Sequence, residues 1–446
     1  MTPDLLVVGG GWAGCSAAVQ AARRGLKVEL WESGPVLGGR AASFQEPTAG
    51  RMDRGQHLFL GAYRECRELL ERLGTASELD FKTPLQIPYL LADGRIETLK
   101  ASGLPGPLDL GLGLARFAPL ALGARLGLGG MLLAAPELAA AAVGGPPAFA
   151  DGISVADWLE RCGQGPEALA WIWEPMTLAA LNARPREARL KEFLAVLGRG
   201  FLRGGESAAL GRARAPLTEL LEPVAGFLEA AGGRVRLRSR VQGLEFDKGL
   251  WRLEGAEGEA ASAARAIVAV PAAQAARILG PQRAGRLGLA AQAERPASTI
   301  LSVWIWSRAP LLPAPLLAFA PSGGVQAPFH WGFSSRESGS GLWRACLVAS
   351  ASGGLASGGQ APALEAARDL LERRGCFSPW LRARAVAERA ATPVFTPRSA
   401  RRRPQATPYP GLALAGDWTD TGLPATLEGA VCSGRLAFEA LSFNDE

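Results

Sequence analysis

The sequence predicts an α/β fold, and three observations carry the prediction. Gly9, Gly11 and Gly14 form G-x-G-x-x-G between an apolar run, Leu5 to Val8, and an alanine-rich stretch, Ala13 to Arg24. A second alternating run, Lys27 to Glu32, follows a stop at Gly25 and ends on an acid. Near the C-terminus, Leu412 to Ala415 leads into GDWTDTGLPATLEGAVCSGRLAFEAL, a strand end feeding a helix. A chain with 56 glycines produces the glycine pattern by chance, so the context decides. Strand, glycine turn, helix and second strand within about thirty residues is the unit that a Rossmann-like dinucleotide site requires.

Each element has a physical reason. Leu5 to Val8 is long enough for a buried strand. Gly9 allows the tight turn, Gly11 lets a pyrophosphate approach the backbone, and Gly14 lets the helix pack close to the strand. The helix start offers free N–H groups and a partial positive charge to the phosphates. Glu32 ends the second strand, where a carboxylate accepts hydrogen bonds from ribose hydroxyls. Gly38, Gly39 and Arg40 make a second glycine turn, with an arginine able to meet a phosphate. Asp53, Gly55, Gln56 and His57 precede a helix from Tyr63 to Leu73, closed by Gly74. Asp93-Gly94 is a hairpin turn between two apolar runs.

From Gly103 to Pro147 the texture changes to leucine, alanine, glycine and proline, read as short apolar helices broken by Pro105, Pro119 and Pro136. Ser154 and Asp157 form a capping box before Trp158. LAWIWEPMTLAALN follows, with Trp171, Trp173, Glu174 and Asn182. Strands are expected at Arg234 to Leu237, Val241 to Phe246, Leu250 to Leu253, Ala264 to Ala272, Thr299 to Ser307 and Trp343 to Ala351, and a helix at Ala361 to Arg374. No linker separates two halves, so the domains interleave. The dinucleotide-binding domain is expected at 1–90, 207–271 and 395–446. A substrate domain takes 91–206 and 272–394, including the apolar helical segment 103–147.

Bulk properties bound the function. The 446 residues call for two domains. With 48% hydrophobic residues the chain is globular. Its net charge of +6 is mostly scattered arginine, a solvated surface without a nucleic-acid module. Six cysteines without C-x-x-C spacing read as free thiols of a reducing compartment, and two histidines exclude a multi-histidine metal site. The first strand leaves no room for a signal peptide. Leu126 to Pro136 is too short to span a bilayer, which takes about 20 residues. The run Arg401 to Arg403 either touches anionic lipid or a cofactor phosphate or, the favoured reading, is a solvated loop.

The glycine fingerprint fits NAD and FAD alike. The Gly39-Arg40 turn past the ribose acid, the strand at Val241 able to lay backbone against adenine, and the Ala-Gly-Asp of Gly416 and Asp417 favour FAD. The helix near Ala425 to Leu427 offers its N-terminus to a reduced flavin. Together VVGGGWAGCSAAVQAARRGLKVELWES, LGGRAAS, DRGQHLFLGAY and LAGDWTDTGLPATLEGAVCSGRLA resemble the flavin amine oxidase and phytoene desaturase superfamily. GQHLFLGAY, WEPMTLAALN and GDWTDTGLPATLEGAV resemble its squalene-associated branch, the hydroxysqualene dehydroxylases. The resemblance implies a GR2-type Rossmann-like FAD domain with an inserted α+β substrate domain. It gives a cofactor role to Gly9, Gly11, Trp12, Ala13, Gly14, Glu32, Ser33, Gly39, Arg40 and Val241. On the flavin side it adds Gly55, Gln56, His57, Gly416, Asp417, Thr426, Leu427 and Glu428.

The resemblance also implies reductive removal of a hydroxyl from a long isoprenoid alcohol. The electrons come from NAD(P)H or a reductase. Two rivals stand beside it: a carotenoid desaturase working in the opposite redox direction, and a flavin-free prenyl-lipid carrier of the GDP-dissociation-inhibitor kind. His57 either lends a proton or holds a turn. Glu174 is either a general acid or a helix cap. Trp171 and Trp173 either line the substrate cavity or pack the core. No metal and no nucleic acid are expected. A cytoplasmic protein resting on the inner face of the cell membrane is expected, with the 103–147 segment either its apolar doorway or simply core.

Overall fold

The computed structural model describes residues 2–46, 50–143, 145–337, 340–399 and 405–441. Arg401 to Arg403 lie outside them. A five-stranded parallel sheet runs in the order Arg234–Arg236, Val28–Trp31, Leu5–Val8, Arg265–Val268, Leu412–Leu414. Every residue of its three central strands except Arg265 is buried. That is the signature of a parallel sheet covered on both faces. The helices Trp12–Arg23 and Leu427–Glu439 cover one face. The helix Ala272–Arg286 and a three-stranded sheet, Val241–Asp247, Leu250–Gly255 and Ala260–Ala263, cover the other.

The strand order reverses at Leu5–Val8, which pairs with Val28–Trp31 on one side and Arg265–Val268 on the other. Open α/β sheets bind ligands at the crevice that such a reversal opens at the strands' C-terminal ends. Strand Leu5–Val8 delivers the glycine turn there. The helix after it is buried nearly all round, because alanine and glycine let helix Leu427–Glu439 pack closely against it. Ser16 Oγ donates to the Val431 carbonyl at 2.8 Å across that contact.

A second sheet of seven strands runs in the order Trp380–Pro393, Ala297–Ser307, Trp343–Ala349, Trp331–Arg336, Leu316–Phe319, Gln86–Leu90, Ile96–Lys100. Its two faces follow from side-chain alternation. Leu301, Val303, Ile305, Ala345 and Leu347 pack against helix Gln360–Arg373. Trp304, Trp306, Cys346, Trp331 and Phe333 face the other way, into a core shared with the helical segment 108–199. A small antiparallel sheet of Leu58–Leu60, Leu210–Ala213 and Leu79–Lys82 follows His57 in space.

The structure corrects several expectations. Pro136 sits in the first turn of helix Ala135–Ala142, where its missing N–H costs nothing, so it starts a helix instead of breaking one. The Asp93-Gly94 hairpin belongs to the seven-stranded sheet, and we propose the domain boundary ahead of Gln86. Strand Trp380–Pro393, the longest among the described residues, had no sequence signal. It is an edge strand whose arginines stand over aromatic rings, Arg382 over Trp306 and Arg384 over Phe44, so its polar residues hide the alternation. Ser154 and Asp157 make the expected reciprocal cap. All six cysteines are free.

Candidate functional site

The glycine turn forms a cradle whose shape follows from contacts. Gly9 has φ of +107°, and a Cβ there would meet the Ala269 carbonyl oxygen at 2.5 Å. A Cβ on Gly14 would lie 1.8 Å from the Gly9 oxygen, so only glycine lets the helix sit this close. Gly11 differs: a Cβ there would find only Gly39 Cα, at 3.9 Å. Its outer side is open, facing the second glycine turn, which bridges back through Gly38 N–H to the Gly10 carbonyl at 2.9 Å. The first N–H groups of the helix, those of Trp12, Ala13 and Gly14, have no acceptor within the helix. Their positive end faces the opening between the two turns. This geometry fits a pyrophosphate. The Trp12 side chain turns away and packs against Phe59.

Glu32 is held beside this cradle. Its carboxylate accepts from Gly10 N–H at 2.7 Å, Gly34 N–H at 2.6 Å and Ser33 Oγ at 3.2 Å. Arg238 and Ser239 close the strand end by donating their N–H groups to the carbonyls of Gly34 and Glu32, both at 2.9 Å. Val241, two residues on, packs with Leu244 and Trp251 in the core of the three-stranded sheet.

Arg40 and Asp417 pair with each other at 2.6 Å, and Arg40 also donates to the Ala391 carbonyl at 2.9 Å. One arginine thus ties the second glycine turn to the C-terminal Ala-Gly-Asp and to the long strand of the other sheet. Gly416 N–H donates to Ser433 Oγ at 2.8 Å, which fixes the turn that carries Asp417. Thr426 caps helix Leu427–Glu439 by accepting from Gly429 N–H.

Glu428 points elsewhere. Its carboxylate accepts from Glu65 N–H at 3.0 Å and Cys66 N–H at 2.9 Å, capping helix Arg64–Leu73. Burial pushes its carboxyl up to about 7 despite those bonds.

His57 follows Gly55 and Gln56 in a half-buried turn, with Nδ1 2.8 Å from the Gly55 carbonyl. A carbonyl only accepts, so Nδ1 carries the proton and the neutral ring presents a lone pair at Nε2. Burial lowers its pKa from the ordinary value, with Asp53 pulling the other way. Glu174 pairs with Arg184 at 3.0 Å, and no hydrogen bond among the described residues joins it to His57. Trp171 and Trp173 diverge in a π-helical turn, Leu169–Trp173. Trp173 is core: it donates to Gln164 Oε1 at 2.9 Å and meets Phe193 edge-on. Trp171 joins Tyr89 and Phe117 in an aromatic cluster.

The aromatic wall nearest the Gln56 turn comes instead from Trp304 and Phe333, which share a cavity lining with Gln56. The alternation SVWIWS signalled a strand with both tryptophans on one face, but not which cavity that face meets.

The family model described as flavin containing amine oxidoreductase matches residues 12–441. The chain belongs to that family. It is 29% identical over 460 residues to hydroxysqualene dehydroxylase of Sinorhizobium fredii, covering 98% of each chain. It is 28% identical over 259 residues to the 15-cis-phytoene desaturase of Solanum lycopersicum, covering 55% of this chain and 42% of that one. Cyclohexylamine oxidase from Brevibacterium oxydans shares the fold, with a TM-score of 0.69 at 18% identity over 99% of this chain. The fold is therefore the GR2-type Rossmann-like α/β domain with an inserted substrate domain, and the protein is a FAD-dependent oxidoreductase of the amine-oxidase and phytoene-desaturase superfamily. Among the described residues no cluster has the ligands for a metal ion, and no helix is long and apolar enough to cross a membrane.

Proposed function

We propose that this chain reductively removes the hydroxyl of a long isoprenoid alcohol of the hydroxysqualene type. The observation that carries the reading is end-to-end similarity to hydroxysqualene dehydroxylase, over 98% of both chains, where the phytoene desaturase match covers about half. FAD in its reduced form would supply the two electrons that replace the C–O bond by C–H, the hydroxyl being lost as water with a proton. The cradle of Gly11 to Gly14 would hold the pyrophosphate, Glu32 the adenosine ribose, and Asp417 the ribityl chain. His57 is the proton carrier we assign: Nε2, left with a lone pair by the Nδ1–H bond to Gly55, would first take up a proton and then pass it to the leaving hydroxyl, returning the ring to its neutral form. Aromatic side chains of the substrate domain, such as the cluster of Tyr89, Phe117 and Trp171, would exclude water and shelter positive charge on carbon.

Such a substrate enters from lipid, since each CH₂ moved into water costs about 0.8 kcal/mol. We place the doorway on segment 103–147. Leu122, Leu126, Leu133 and Val143 there are 69–87% exposed, which supports a peripheral membrane contact. The test is product analysis after incubating the FAD-loaded, reduced protein with hydroxysqualene, and the oxidised protein with phytoene. Squalene from the first and no new product from the second is the expected outcome; the reverse assigns the desaturase activity.

A further inference from the structure

A cavity of about 190 Å³ lies beside Gln56, between strand Leu210–Ala213 and the aromatic face of the seven-stranded sheet. Its chemistry does not suit an uncharged isoprenoid. Arg51, Arg212, Arg214 and Arg344 line it against one acid, Asp53. Asp53 brings one negative charge against four positive ones, and its Oδ1 accepts from Ser43 Oγ at 2.6 Å and from Leu217 N–H at 2.9 Å instead of pairing with a guanidinium among the described residues. Arg51 is paired with Glu222 at 2.6 Å and Glu219 at 3.2 Å, and Arg214 with Asp80 at 3.3 Å. Those two cations are occupied.

The other two are less fully paired. Arg212 has no carboxylate within 4.0 Å among the described residues, and gives one long bond of 3.3 Å to the Ser334 carbonyl. Arg344 reaches Glu337 only at 3.7 Å, and its buried Nε–H has no acceptor. Its guanidinium stands 5.2 Å over the Trp304 ring, whose Nε1–H also has no acceptor. Ser334 Oγ beside them has no partner either. Guanidinium and indole N–H groups only donate. Buried donors left without acceptors cost stability, and natural structures keep few of them. What completes this set is a negatively charged, oxygen-rich group. A single water needs only about 10–15 Å³ of such space, so the cavity has room for a group with several oxygens.

We propose that this cavity is an oxyanion site that binds a phosphate or pyrophosphate group through Arg212, Arg344 and Trp304. The planar guanidinium forks suit phosphate oxygens, and the aromatic walls keep competing water low. Two sources carry this group: the phosphates of a pyridine-nucleotide reductant, and the diphosphate head of a prenyl compound. The proposal does not rest on the isoprenoid reading, since it needs only the cavity and its donors.

The test is isothermal titration of the FAD-loaded protein with inorganic pyrophosphate in low salt. Loaded FAD keeps the glycine cradle from competing. Saturable binding at one site is expected, weakened by salt. The double variant Arg212→Gln/Arg344→Gln should lose at least tenfold in affinity, with FAD content unchanged. Arg212→Lys keeps the charge but not the fork; it should lose several-fold and serves if the double variant does not fold. Displacement by NADP⁺ points to the nucleotide source. Displacement by farnesyl diphosphate but not farnesol points to the prenyl source, and displacement by neither leaves the inorganic anion itself as the ligand. No saturable binding to the wild-type protein, or undiminished binding in the variants, overturns the proposal.

Discussion

Replacing Glu32 by glutamine separates the two jobs this residue has. The carboxylate accepts from two backbone N–H groups on different segments, Gly10 at 2.7 Å and Gly34 at 2.6 Å, one on each oxygen. A glutamine side chain offers one oxygen and one NH₂. One backbone N–H therefore keeps its acceptor while the other meets a donor. Charge-assisted bonds of this kind are worth about 1.5–3 kcal/mol each, so the glycine turn loses about that much support. If the same carboxylate also accepts from the ribose, FAD affinity drops by ten- to a hundredfold on top of any change in stability. Titrating apoprotein with FAD and following quenching of flavin fluorescence reads the affinity, while a thermal melt of apoprotein reads the support. A variant that melts lower but binds FAD as tightly as wild type would refute the ribose role and leave Glu32 as a turn brace alone.

Three other outcomes follow from the geometry. Asp417→Asn and Arg40→Met should each reduce FAD retention about tenfold, and the double variant should lose less than the sum, because the two side chains are paired at 2.6 Å; full additivity in FAD titrations contradicts a shared site. Glu428 has its carboxyl raised from 4.5 to about 7, so the folded state holds a proton that the unfolded state has released; its contribution is fully present below about 4.5, is lost as pH rises to about 7, and amounts to about 3 kcal/mol at most. Melting temperature should fall across that window, less so in Glu428→Gln; equal slopes in the two proteins contradict the assignment. Replacing the exposed Leu126 and Leu133 by serine should cut sedimentation with anionic liposomes about a hundredfold or more without changing flavin content, since each buried leucine contributes about 1.5–3 kcal/mol; undiminished sedimentation removes the doorway.

The cofactor half of the protein was legible because its signal is local. Gly9, Gly11, Gly14 and Glu32 lie within one strand-turn-helix-strand unit, and spacing alone sets which glycine touches which backbone. The C-terminal Gly416 and Asp417 were legible for the same reason, as a strand end feeding a helix. What the spacing could not supply was the partner of each side chain. Asp417 was expected to wait for a cofactor hydroxyl, and it meets Arg40, 377 residues away in sequence. Glu428 was expected at the flavin, and its carboxylate caps a helix 363 residues earlier.

The substrate half was less legible. The cavity beside Gln56 is assembled from single residues on separate strands, with Trp304, Phe333 and Arg344 each drawn from a different run. Strand Trp380–Pro393 was invisible because arginines over aromatic rings look like solvent-facing charge. Trp171 and Trp173 were the conspicuous tryptophans in the sequence, yet a π-helical turn sends one of them into the core.

The direction of electron flow is the most direct test of the central claim. The FAD-loaded protein is reduced under anaerobic conditions, hydroxysqualene is added in a single turnover, and the visible absorbance of the oxidised cofactor is followed while products are quantified. The account predicts that the absorbance returns as one squalene forms per FAD. Reduced protein that stays reduced in the presence of hydroxysqualene, together with oxidised protein bleached by phytoene, would contradict it.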